Sequence, residues 1–314
     1  MGIVLLLFCF LASVAALPLQ GHDRLRGRRI QEPSLLPVSY ETVKDMASEA
    51  FHKSELVFGG HKSRPGLLPM QSLILYSSHD KPGMIFRCGG TLISPTHILT
   101  AAHCTINMTA PSNVMLGGVS LEYNSTTTQW RAIHTVHIHP EYNDNDRNHH
   151  NDISIIEFSP AVQFNNNIKL ANILKNDDNL IKTAPWAVVS GFGTMNFTKT
   201  ARGTEIVRSP DLLYADVTIY NATYCNDFKV WNGALNANEI CAGAQGKGVG
   251  PGDSGGPIQV VDNHTTYQVG VASYATHLPY YMQNRQDLLP SVFMRVSHYC
   301  DYISDITSGA FKCQ

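Results

Sequence analysis

Residues 250–257, GPGDSGGP, place Ser254 among four glycines and two prolines, directly after the acid Asp253. A run so rich in glycine cannot be the interior of a helix or a strand, so it is a loop that poses a serine instead of packing it. In such a loop the backbone N–H groups of Gly252 and Ser254 can point into one small concavity. There they would stabilise an oxyanion formed when the Ser254 hydroxyl attacks a carbonyl. The plain alternative is a glycine-rich turn with an ordinary surface serine. A histidine and a buried aspartate earlier in the chain, in that order, would decide between the two.

Both are present. From Ser72 to His103 strand-like runs alternate with turns, ending in ILTAAHC, which puts His103 at a strand end beside Cys104. Further on, Asp152 directly precedes the apolar run ISII, so strand burial carries its carboxylate inward. An unpaired charge there would be costly, whereas one paired to an imidazole N–H has a reason to be buried. Asp152 would then hold His103 in the tautomer whose free nitrogen can take the Ser254 proton.

TAAHC and GDSGGP resemble the general-base and nucleophile segments of the chymotrypsin-like serine peptidases. The chain order His103, Asp152, Ser254 is that of the same clan and differs from the orders in subtilisins and α/β-hydrolases. The resemblance covers residue 57 to about 306. It implies an all-β fold of two antiparallel six-stranded barrels packed together with a short C-terminal helix. The first barrel would span about 57–165, the second about 166–300, and the helix and tail about 298–314. It further implies Ser254 as nucleophile, His103 as base and then acid, Asp152 as its orienter and the Gly252 and Ser254 amides as oxyanion hole. No cofactor is expected, and the partners would be protein or peptide substrates, an activating peptidase and a protein inhibitor, with the enzyme itself monomeric. The alternative is a non-catalytic homologue serving as a binding or regulatory module; such chains usually lose a triad residue, and here all three stand.

Residues 1–16 form an apolar run of signal-peptide length, with Val14 and Ala16 in the small-residue pattern before a cut, although no Lys or Arg precedes the run. It is shorter than a membrane span needs, and no later stretch is long or apolar enough to be one, so the chain is expected to be secreted. Residues 17–56 read as a pro-segment. RGRR ending at Arg29 is a basic processing pattern, and Val43, Met46, Ala47, Ala50 and Phe51 make a short amphipathic helix, more readily discarded than retained. LVFGG at 56–60 is similar to the family's activation site, which implies a cut between Leu56 and Val57 and an ion pair of the Val57 amine with Asp253. Phe58 is bulkier than the family's usual second residue, and Leu56 is not the basic residue that trypsin-like activators require.

A net charge of −2 gives no electrostatic reason to expect nucleic acid. With Cys9 in the leader, Cys88, Cys104, Cys225, Cys241, Cys300 and Cys313 remain, an even number that implies three bridges in any of fifteen connectivities. The resemblance implies Cys88 with Cys104 and Cys225 with Cys241, which leaves Cys300 with Cys313 and requires the tail to double back. Sequons stand at Asn107, Asn124, Asn196, Asn221 and Asn263. Of His134, His137 and His139 only the last two share a strand face, and no metal is expected; the loop that binds calcium in some relatives has Gly118 in place of a glutamate. His149 and His150 read as exposed loop.

Matched without a gap from Cys241 to Ser254, the pocket base falls at Gly248 beside Val249, not at an aspartate. Nothing there repays desolvating a Lys or Arg, so the pocket resembles chymotrypsin and elastase types more than trypsin. The walls match at Ser273, Tyr274, Ala275 and Ser291; Ala275 and Ser291 stand where deep pockets have glycine, which implies a slot for medium or small apolar residues. Gly250 occupies the place of a family cysteine whose partner is missing too from residues 276–289, THLPYYMQNRQDLL.

Overall fold

The computed structural model describes Leu25, residues 27–43, and residues 58–314 except 147, 185, 201–202 and 228. The leader, Val57 and the later part of the amphipathic stripe, Met46 to Phe51, lie outside these residues. In the first half the strands are β1 (Arg28–Arg29), β2 (His61–Lys62), β3 (Gln71–Ser78), β4 (Ile85–Ser94), β5 (His97–Thr100), β6 (Met108–Leu116), β7 (Gln129–Ile138) and β8 (Ser154–Ser159). In the second they are β9 (Ala187–Gly191), β10 (Thr194–Thr200), β11 (Gly203–Arg208), β12 (Leu213–Tyr220), β13 (Glu239–Gly243), β14 (Pro257–Asp262), β15 (Thr265–Tyr274) and β16 (Ser291–Arg295).

Strands β3 to β8 form one antiparallel sheet in the order β7-β6-β3-β4-β5-β8, closed by pairing of β7 with β8. Strands β9 and β12 to β16 form a second in the order β13-β16-β15-β14-β9-β12, closed by pairing of β13 with β12. Closure removes the unpaired edges that would otherwise invite association. These are the two six-stranded barrels that the sequence implied. Strand β3 shows how alternation builds them: Ile74 enters the first barrel's core with Leu92, Ile98 and Val114, while Leu73 and Leu75 point the other way, to a cluster with Trp130, Phe192 and Leu212. The second barrel fills with Val189, Leu213, Ile258, Val269 and Phe293.

Two short strands add to the closed barrels. Strand β2 pairs with β12, so residues 58–62 belong to the second barrel, not to the first as the expected boundary had it. Strand β1 pairs with β7, Arg28 opposite Val136. The Arg28 guanidinium donates to the carbonyls of Thr105, Met108 and Ile106 at 2.9, 3.0 and 3.2 Å. Val38 bridges Trp130, the Tyr40 hydroxyl donates to Leu121 O at 2.9 Å, and Val43 is fully buried in the Trp130 cluster. Residues 27–43 are thus a packed part of the first barrel, and the processing pattern at Arg28–Arg29 is strand.

The helices are α1 (Asp178–Thr183), α2 (Ala222–Cys225), α3 (Pro279–Asn284) and α4 (Cys300–Ile306). The last packs Tyr302 and Ile303 into the first barrel's core, so it ties the two barrels together. The bridges are Cys88–Cys104, Cys225–Cys241 and Cys300–Cys313. The tail does double back: Ser308 and Gly309 both take positive φ, and Gln314 exchanges hydrogen bonds with Ile173 and Lys175. No helix among the described residues is long and apolar enough to cross a membrane.

Arg28→Ala should leave three carbonyls without their charged donor and lower stability by about 1.5–3 kcal/mol. Denaturant unfolding measures the loss. Hydrogen exchange should show faster turnover at the Ile30 amide, which donates to His134 O at 2.8 Å.

Candidate active site

His103 sits in a single 3₁₀ turn, Ala102–Cys104, that follows β5, and the Cys88–Cys104 bridge pins that turn to β4. Asp152 ends the loop before β8 and is fully buried. Its carboxylate accepts from the His103 amide at 2.8 Å, from His103 Nδ1 at 2.7 Å and from the Ser273 hydroxyl at 2.5 Å. Burial alone would push this carboxyl up, but the imidazole and the hydrogen bonds outweigh it and hold it below the usual carboxylate range. Burial likewise opposes protonation of His103, and the Asp152 charge overcomes it, so that pKa is raised. The ring is 28% exposed.

Ser254 reaches the same cleft because the second barrel's loop docks on the first through main chain. The Gly89 amide of β4 donates to Ser254 O at 2.7 Å. A Cβ at Gly89 would lie 2.7 Å from Gly256 Cα, and one at Gly255, whose φ is +78°, would lie 2.1 Å from Thr100 Oγ1. One sulfur, Cys104 Sγ, is 3.7 Å both from His103 Nε2 and from Ser254 O. His103 and Ser254 line two adjoining hollows. One, of about 290 Å³, runs to Val249, Tyr274, Ala275 and Met282; the other, of about 250 Å³, runs to Tyr76, Phe86 and Arg208. Roomier hollows elsewhere, such as the one of about 710 Å³ beside Asp178 and Tyr220, contain no such serine and histidine.

The Asp253, Gly255 and Gly256 amides are spent on Gly250 O, Ala272 O and Asp253 O. Those of Gly252 and Ser254 donate to no described residue, and Gly252 faces the cleft with φ +100°. Asp253 is buried outright, its oxygens accepting from the Gly193 amide at 2.7 Å and the Gly250 amide at 3.0 Å. A Cβ at Gly191 would meet the same carboxylate at 2.1 Å. Desolvation pushes the Asp253 pKa up to about 7, against the pull of those two amides and of Arg87.

Val57 lies outside the described residues, but Phe58 is 1% exposed, bridges Gly248 and sets its ring 5.6 Å from that of Phe197. A Cβ at Gly250 would approach the Phe58 ring to 2.8 Å. The bulky residue at 58 therefore fills the room that a cysteine at 250 would need.

Several residues gather here that the sequence did not announce. His149 is half-buried, its ring 6.3 Å from that of His103 and 5.8 Å from that of Tyr274, and His150 pairs with Asp146 at 2.9 Å; neither is the exposed loop residue expected. Met282 lines the cleft, and Gln286, four residues on, is wholly buried behind it. Gln286 lies two residues past the end of helix α3, so no helical spacing announced it; its side chain turns back to Met282 O at 2.8 Å. Gly248 and Ser291 do not reach the cleft. His137 pairs with Glu157, and His139 meets Tyr299 and Tyr302 edge to face. Cys88, His103 and Cys104 lie within metal-ligand distance of one another, but both sulfurs are consumed by the bridge. Asn124, Asn221 and Asn263 are exposed, whereas Asn107 is half-buried with its amide on Asp80, and Asn196 accepts from Gln283 at 2.8 Å.

Residues 57–303 match the family pattern described as Trypsin. The chain belongs to the trypsin family. It is 29% identical over 255 residues to chymotrypsin-like elastase family member 1 of the dog, Canis lupus familiaris, covering 81% of this chain and 93% of that one. It is 29% identical over 274 residues to CLIP domain-containing serine protease B4 of Anopheles gambiae, covering 80% and 70% respectively. In fold it is similar to neuropsin, a serine protease expressed in the limbic system of mouse brain, with a TM-score of 0.65 at 24% identity over 79% of this chain and 98% of that one. Membership makes this chain a serine peptidase of chymotrypsin-like fold.

In the uncleaved chain the contacts of the Asp253 carboxylate among the described residues are amides, not a cation, which gives stability a definite pH dependence. The folded carboxyl keeps its proton to about 7 and the unfolded one releases it near the ordinary 3.8, so stability present at low pH is lost as pH rises between these values. Relative to Asp253→Asn, the uncleaved chain should weaken by up to roughly 1.4 kcal/mol per pH unit across that window. Urea titrations of both proteins between about pH 4.5 and 7.5 measure the difference.

Proposed function

We propose that this protein is a secreted serine endopeptidase that hydrolyses peptide bonds through an acyl-enzyme, prefers medium or small apolar residues before the cut, and is activated by cleavage between Leu56 and Val57. The observation that carries the reading is the double grip of buried Asp152 on His103, at Nδ1 and at the amide, which directs Nε2 toward the cleft holding Ser254. The Ser254 hydroxyl gives its proton to Nε2 as its oxygen bonds the substrate carbonyl carbon. The resulting oxyanion takes hydrogen bonds from the Gly252 and Ser254 amides. The imidazolium passes its proton to the departing amine, the peptide bond breaks, and water repeats the sequence on the ester.

Three features support activation at Val57. Asp253 is buried without a contacting cation among the described residues, the Gly250 amide already holds its Oδ2, and Phe58, the residue after the new amine, packs against that same Gly250. An ammonium delivered there would draw the carboxyl back into its charged form and order the adjoining amides. The apolar leader and the three bridges support secretion.

A fluorophosphonate probe should label Ser254 after, and not before, cleavage at Val57, with N-terminal sequencing confirming the new end. Ser254→Ala should keep the fold and lose on the order of 10⁶ in kcat. Retained hydrolysis in that variant would refute the assignment. On the acid side, kcat/KM should fall as His103 protonates, above the ordinary histidine range because its pKa is raised.

A further inference from the structure

The cleft beside Ser254 is lined by Val249 and Met282 and does not extend to Gly248, and we infer that Gln286, buried directly behind those two residues, closes the pocket that receives the side chain before the cut and restricts it to short residues. The inference rests on the peptidase reading above and narrows its substrate class. Gln286 is 0% exposed. Its Nε2 donates to Val249 O and to Met282 O, each at 2.8 Å, and its Oε1 accepts from the Ser291 hydroxyl at 2.8 Å. Both amide hydrogens and the carbonyl are therefore satisfied inside the protein.

Two glycines make the room. A Cβ at Gly248 would lie 2.0 Å from Gln286 Oε1, and one at Gly243 would lie 2.3 Å from the Gln286 carbonyl oxygen. The amide thus occupies the volume above Gly248. This is why Gly248 and Ser291 are shut off while Val249, Tyr274, Ala275 and Met282 face the cleft of about 290 Å³.

The plug is also a clip. Residues 276–289 contain no cysteine to bridge to position 250, and the Gln286 bond to Val249 O holds this loop against the neighbouring residue of the same segment without a covalent link. To admit Leu, Phe or Tyr, Gln286 would have to withdraw and leave two carbonyls and a hydroxyl unpaired in a buried place, a cost larger than that of the bonds themselves. Ala and Val stop short of it. Since one methylene in an apolar pocket is worth about 10- to 200-fold in discrimination, a blocked floor should reject large residues by at least that factor.

The test uses protein already processed at Val57, titrated with a fluorophosphonate to count active sites, and a peptide series varied at the residue before the cut. The wild type should give kcat/KM for Ala and Val at least about tenfold above Leu and Phe. Gln286→Ala should open the pocket and raise Phe and Leu relative to Ala at least about tenfold, whereas Gln286→Met, which keeps the bulk, should stay selective for short residues. A wild type that takes Phe or Leu as readily as Ala overturns the inference even if no variant folds. An unchanged profile in a probe-reactive Gln286→Ala overturns it as well. If processed wild type does not react with the probe, the peptidase reading itself falls and the floor assignment with it.

Discussion

Everything in this candidate active site depends on the close approach of two main chains. Gly89 of the first barrel donates to the carbonyl of Ser254 in the second, and Gly255 and Gly256 let the backbones meet where any side chain would collide with Thr100, Gly89 or Asp253. A contact of main chain on main chain has few rotamers to adjust, so the serine's position is set by the barrels and not by its own side chain. The imidazole comes from a turn pinned to the same β4 strand by the Cys88–Cys104 bridge. One strand therefore references both members of the pair.

The two buried aspartates show how one kind of group is put to opposite uses. Asp152 is charged because an imidazole, an amide and a hydroxyl surround it, and its burial strengthens the hold on His103. Asp253 is as deeply buried but among the described residues takes its hydrogen bonds from amides, and the desolvation penalty keeps its proton on into the neutral range. A site of this kind answers strongly to a cation placed beside it.

Much of this could be read in the chain before folding. The Ser254 octet, the strand-end His103 and the acid ahead of ISII were legible because each needs a local pattern: glycines for the turn, an apolar run for burial. Phe58 and Gly250, by contrast, looked like two unrelated departures, and only their contact shows that the ring of one fills the space left by the other. Gln286 was illegible because a glutamine in a polar loop reads as solvent-exposed; its burial comes from Gly243 and Gly248, both more than thirty residues away. That residues 27–43 lie against the first barrel was not legible, since β1 is two residues long and its partner β7 is a hundred residues on.

The sequence by itself determined which residues carry the candidate chemistry and their order along the chain, because loop conformation, strand alternation and the need to neutralise a buried carboxylate are enforced within a few residues of each group. Tertiary structure alone decided how deep the pocket is, what braces it and what packs on the first barrel. Those properties are differences of a few ångströms between segments far apart in the chain, and no local pattern encodes a distance between two barrels.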